Sequence, residues 1–298
     1  MNGLFENREI FALAVAAFFA SAACALVAPS RLRGGARAWA EKILAGVAWA
    51  ALSWALFERG TARAAFPVSD VFEIFQCLGW FAVFFVVFLR VVWTLRVPTV
   101  FGAAAAGTLC AAGFAGGSGW DAAPVPADAF AATTSPWAGV HAGFVTVGYA
   151  CFSAAAMVWL IYLIQNRALR ERRTGAFFSR LPDLASLDRI GGRLCAAGTV
   201  IFGVGAALGV AVLAGGGRLA SAFALYKAAL AVAMFFGFSA ATALRRLGRL
   251  SALKFARVGL GIFVAALVFL GGSACVKNAT DAAVAAPDAE IAEEAAAR

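Results

Sequence analysis

Eight apolar stretches, at residues 10–28, 39–57, 71–95, 99–116, 140–164, 194–214, 223–244 and 258–274, constrain this chain more than any other feature. Each is close to the roughly 20 residues a helix needs to cross about 30 Å of hydrocarbon. The period-two alternation of a membrane β-barrel strand is missing from all of them. Inside a bilayer the backbone polar groups must be satisfied without water, and a helix does this within its own segment. Composition agrees: 63% of the residues are hydrophobic and 14% are charged, against about a quarter charged in a typical globular chain. The sequence therefore predicts an all-α, polytopic transmembrane helical bundle of about eight spans, with short loops that favour antiparallel neighbours.

Charge distribution predicts the orientation, because Lys and Arg near span ends stay on the cytoplasmic side. One set of loops carries Arg31, Arg33, Arg37 and Lys42, then Arg90 and Arg96, the seven arginines between Arg167 and Arg193, and Arg245, Arg246, Arg249, Lys254 and Arg257. The opposite set, with the two termini, holds Arg8, Arg59, Arg63, Arg218, Lys227, Lys277 and Arg298. The first set is expected inside and both termini outside. A net charge of +9 could otherwise point to nucleic acid. No arginine–aromatic interleaving occurs outside the apolar stretches, so no nucleic-acid partner is expected and membrane lipids are the first partners implied. The first stretch is too long for a signal-peptide core and lacks a basic start, so it reads as a retained span. Residues 1–276 are expected to form the transmembrane domain, with 277–298 an acidic, Ala-rich, disordered tail. Residues 117–134 read as an irregular outer loop, and no short internal repeat stands out.

Few residues offer chemistry. Cys24, Cys77, Cys110, Cys151, Cys195 and Cys275 fall in or beside apolar stretches without a CxxC pair, which reads as helix packing. His141 is the single histidine. Ser135-Pro136-Trp137 precedes it and reads as N-cap, first helical position and interfacial aromatic anchor. Five residues into that helix, at 1.5 Å each, the imidazole sits roughly 8 Å from its start. Two readings stay open: an interfacial histidine bonded to a neighbouring carbonyl, or an axial ligand for haem iron. Asp70 and Glu73 have capping-box spacing at the start of the third span, although Glu73 could instead face a polar cavity. Lys227, after Tyr226, either snorkels to the interface or meets an anionic group together with Arg218. The arginines around Arg180-Leu181-Pro182-Asp183 and Leu187-Asp188 suit lipid headgroups.

Ser135-Pro136-Trp137-Ala138-Gly139-Val140-His141, followed by Gly148-Tyr149-Ala150, resembles the conserved block of the cytochrome c assembly family, which includes the CcsA, ResC and CcmC haem-handling proteins. Tyr162-Leu163, the basic loop with Leu181-Pro182 and Leu187-Asp188, and Arg193 follow in the family's order. Pro67 with Glu73 resembles the entry to an earlier span in the eight-span, HemX-like branch. The resemblance implies haem handling at the outer face of the bacterial cytoplasmic (inner) membrane, alongside other cytochrome c assembly proteins. It makes His141 an axial ligand, with Arg218 or Lys227 near propionates and Trp137 and Tyr149 beside the macrocycle. It also makes Tyr226 a further cofactor-binding candidate, since Tyr226-Lys227 echoes the end of the family's Trp-rich motif. The chain departs from the family's synthetases where Gly215-Gly216-Gly217-Arg218-Leu219 stands in place of a Trp-rich motif. A second histidine is also missing, which excludes bis-histidine ligation within one monomer. An accessory role, rather than that of a complete haem lyase, is the expectation. The alternatives from other classes are a small-solute transporter and a haem-free membrane scaffold or regulator; no paired interrupted helices support the first.

Overall fold

A computed structural model describes residues 7–26, 34–63, 66–68, 70–95, 97–115, 136–172, 181–215 and 222–272. Among them are eight helices and no strand: α1 (Asn7–Leu26), α2 (Gly34–Arg63), α3 (Val71–Val92), α4 (Thr99–Ala115), α5 (Pro136–Arg170), α6 (Leu184–Gly215), α7 (Ala222–Arg246) and α8 (Ala252–Gly272). Seven are long and apolar enough to cross a membrane, and α4, with 17 residues, sits at the short end of that range. The eight expected spans are thus eight helices, in the expected order. The outer loop 117–134, Arg218 and the tail 277–298 lie outside the described residues.

Helix boundaries follow local chemistry more than hydropathy. Asp70 adopts an extended conformation and accepts the Glu73 backbone N–H at 2.7 Å, so it caps α3 as its spacing predicts. At the other end of α3, Thr94 has a positive φ of 52° and Leu95 N–H turns back to Leu89 O at 3.0 Å. Pro98 then bars continuation. Helix α6 starts ten residues before its apolar stretch. Asp183 accepts Ser186 N–H at 2.8 Å, and that backbone bond holds its carboxyl below the usual range. Helix α7 closes with Gly248 at φ 70°, where Gly248 N–H reaches Arg245 O and Arg249 N–H reaches Leu244 O. This paired closure needs a left-handed residue, which glycine supplies without strain.

The bundle has two parts. Helices α1 to α4 pack through the α1–α2, α3–α4 and α1–α4 contacts. Helices α5 and α6 form the most extensive pair in the molecule, and α7 lies against α6. Helix α8 joins them through Trp159–Phe255 ring packing and a Tyr226 hydroxyl that donates to Phe269 O. Contact between α3 and α5 links the two parts.

Glycine sets the α5–α6 approach. A Cβ on Gly191 would lie 2.8 Å from Trp159 Nε1, one on Gly198 would lie 2.9 Å from Phe152, and one on Gly205 would lie 2.8 Å from Val145 N. These glycines are seven residues apart on α6, and so are their partners on α5, running in reverse. That is the register of an antiparallel pair in which small residues let backbones approach closely. The repeat is written in the sequence, although no short repeat stood out there.

Candidate functional site

At one end of the α5–α6 pair lies a cavity of about 790 Å³, walled by α3, α5, α6, α7 and α8. Its volume falls within the range of small-molecule and cofactor pockets. The walls are mainly apolar, and His141, Tyr149 and Lys227 line it together. Three residues picked from the sequence thus share one cavity. Eight residues separate His141 from Tyr149 on α5, so the cavity extends roughly 12 Å along that helix. Trp137 is 61% exposed, as suits an interfacial anchor. Neither Trp137 nor Tyr226 is among the lining residues; the Tyr226 hydroxyl is bonded to Phe269 O at 2.6 Å.

His141 is held firmly. Its Nδ1 lies 2.7 Å from Gly205 O. A carbonyl oxygen only accepts, so Nδ1 carries the hydrogen and donates it. In the neutral ring the second nitrogen, Nε2, then keeps a lone pair. The carbonyl bond by itself would suit a structural histidine. What goes beyond that role is the cavity beside the ring, with a ligating nitrogen available on the imidazole.

Two residues that the sequence reading passed over make this arrangement. Gly205 contributes the carbonyl, and Gly209 leaves room for the ring: a Cβ there would lie 2.5 Å from His141 Cε1. Their signal in the sequence is the seven-residue glycine spacing that ends at Gly205, with Gly209 one turn on.

The acid in the first turn of α3 has a different fate. Glu73 pairs with Arg59 at 3.1 Å, with side chains 0% and 3% exposed. Arg59 belongs to the end of α2, which runs past its apolar stretch as far as Arg63. The guanidinium also lies over the Phe11 and Phe72 rings, 5.5 and 5.1 Å from their centroids. Glu73 is therefore part of a buried ion pair tying α1, α2 and α3. On the opposite side of the bundle, Asp188 pairs with Arg245 at 2.5 Å, and Arg245 also donates to Leu250 O. This pair clamps α6 and α7 at the turn into α8. Among the described residues, no cluster of three or more His, Cys, Asp or Glu could hold a metal ion.

No curated protein and no solved structure matches the chain. The family model for the cytochrome C assembly protein matches residues 55–212. That segment spans more than half of the chain's 298 residues, from the last turns of α2 through nearly all of α6, and includes Arg59, Glu73, His141, Gly205 and Gly209. The resemblance carried by the block ending in His141 thus rests on a match that reaches well beyond it, and the chain is a multi-pass membrane protein that belongs to the cytochrome c assembly protein family and serves cytochrome c maturation.

Proposed function

We propose that the protein handles haem at the His141 cavity, as an accessory component of cytochrome c maturation in the bacterial cytoplasmic membrane. The observation that carries this reading is the single imidazole of the chain, bonded through Nδ1 to Gly205 O beside a cavity of about 790 Å³. A carbonyl behind a ligating imidazole orients the ring and raises its basicity. Haem bound there would supply an iron centre for Nε2 to ligate. Around it, the apolar walls and Tyr149 would cover the macrocycle and keep water away, while Lys227 would meet a propionate. Arg218 would be a second propionate partner. Trp137 would anchor the start of α5 in the headgroup region.

An absorption spectrum of the purified protein with and without added haem tests the reading. Added haem should give a Soret band that is lost or shifted in His141→Ala. Lys227→Ala should reduce haem retention less, because a propionate can still be met by Arg218 or water. A wild-type protein that binds no haem would leave a haem-free scaffold or a transporter, and transport assays would separate those two. The outer-face placement has its own test, motivated by the uneven division of basic residues. Reporter fusions at Arg173 and Arg249 should read cytoplasmic, and fusions at Asp128 and after Lys277 external. The opposite pattern would move the cavity to the other face.

A further inference from the structure

We propose that Gly205 and Gly209 of α6 are the positioning residues of this site, fixing His141 in the Nδ1–H form with Nε2 as its ligating atom. The ligand in this statement rests on the haem reading; the state of the ring does not.

Two observations carry it independently. First, the hydrogen bond from His141 Nδ1 to Gly205 O, at 2.7 Å, selects one tautomer, because the carbonyl offers no hydrogen. Second, the ring occupies space that only glycine leaves open. A Cβ at position 209 would lie 2.5 Å from Cε1, 2.7 Å from Nδ1 and 3.2 Å from Nε2. Comfortable carbon contacts begin near 3.5 Å, so an alanine there displaces the ring by roughly 1 Å. That displacement breaks or lengthens the Gly205 bond. Gly205 has a double duty. Its own Cβ would meet Val145 N at 2.8 Å, so a side chain there would push α5 away and withdraw the carbonyl from the imidazole. The glycine register along the α5–α6 pair therefore ends in a functional pairing, His141 against Gly209. It works through the ring's orientation and tautomer: Gly205 is not part of the cavity wall, and Gly209, which is, contributes the room the ring occupies.

The chain's single histidine makes this testable on the intact protein. Labelling histidine with nitrogen-15 gives one pair of ring nitrogens by NMR in detergent. At about pH 8, above the usual imidazole range, the wild type should show Nδ1 protonated and Nε2 bare. Gly209→Ala should shift the ring to a mixed or Nε2–H pattern and weaken haemin binding roughly ten- to a hundredfold. Gly143→Ala is the control, since a Cβ there meets nothing within 4 Å, and it should leave both readouts unchanged. A wild-type ring protonated on Nε2 overturns the proposal. So does a folded Gly209→Ala protein with the wild-type ring pattern and haemin affinity. If Gly209→Ala does not fold, the wild-type spectrum decides alone. The two readings fail separately. An Nδ1–H ring in a protein that binds no haemin keeps the positioning role and ends the haem reading; haemin ligated by an Nε2–H imidazole does the reverse.

Discussion

The two parts of the bundle each bury polar groups and each contain a hollow, yet only one looks built to hold something. Between α2 and α3 lies a groove of about 840 Å³, slightly larger than the His141 cavity. Its polar side chains are already committed within the protein. Trp80 Nε1 donates to Ser53 Oγ, Ser53 Oγ donates to Trp49 O, Thr61 donates to Glu58 O, and Cys77 Sγ donates to Pro67 O. The nearby charges, Arg59 and Glu73, are spent on each other. In the second part the cavity keeps an imidazole with a lone pair beyond its one hydrogen bond. Volume alone does not mark a site; uncommitted bonding capacity beside the volume does.

The sharpest way to break this contrast is to treat Arg59 as functional and His141 as structural. Arg59→Ala leaves the Glu73 carboxylate buried without that guanidinium, and such half-removals cost about 3–5 kcal/mol. Unfolding in detergent should show this loss. Replacing both partners, Arg59→Met with Glu73→Leu, should recover most of it, because a buried ion pair and an apolar pair of similar volume are close in stability. No recovery would mean that the pair does more than hold three helices together.

A smaller loss is expected where the second part is tightly packed. A Cβ on Gly148 would lie 2.7 Å from Phe202 Cβ and 2.9 Å from its Cα. Backbone atoms cannot step aside as a flexible side chain can. Gly148→Ala should therefore destabilise by about 1–3 kcal/mol, read from the same unfolding curves. An unchanged midpoint would show that α5 and α6 can separate freely.

His141→Ala should cost less stability than either and matter more than either for binding. Losing one hydrogen bond costs about 1 kcal/mol, so the protein should insert and unfold nearly as the wild type does while its Soret band disappears. A large loss of stability without a spectral change would make His141 a structural residue like Arg59. The smallest effect is expected for Asp188→Asn. The pair it forms with Arg245 is partly open to solvent, with side chains 24% and 33% exposed, and such pairs contribute about 0.2–1 kcal/mol.

Most of the fold could be read from the sequence, since a bilayer admits few solutions for an apolar stretch of span length. Helix count, order and the Asp70 cap followed from hydropathy and local hydrogen bonding. The ends of α2 and α6 did not. Both helices continue into charged sequence, because Arg59 finds Glu73 and because Asp183 caps α6 eleven residues before the apolar stretch begins. Of the candidate site, His141, Tyr149 and Lys227 were legible because polar groups are rare in such a chain. Their meeting in one cavity was not, since Lys227 comes from a helix far away in sequence.

By itself, the sequence determined the class of molecule, the number of helical stretches and the single imidazole of the chain, because each depends on local composition. The tertiary structure decided which polar groups cancel and which remain available. Arg59 and Glu73 are fourteen residues apart and His141 and Gly205 sixty-four, so neither pairing has a local signature. Only the packing of α1, α2 and α3 buries the first pair, and only the glycine-spaced approach of α6 to α5 brings a carbonyl within 2.7 Å of the imidazole.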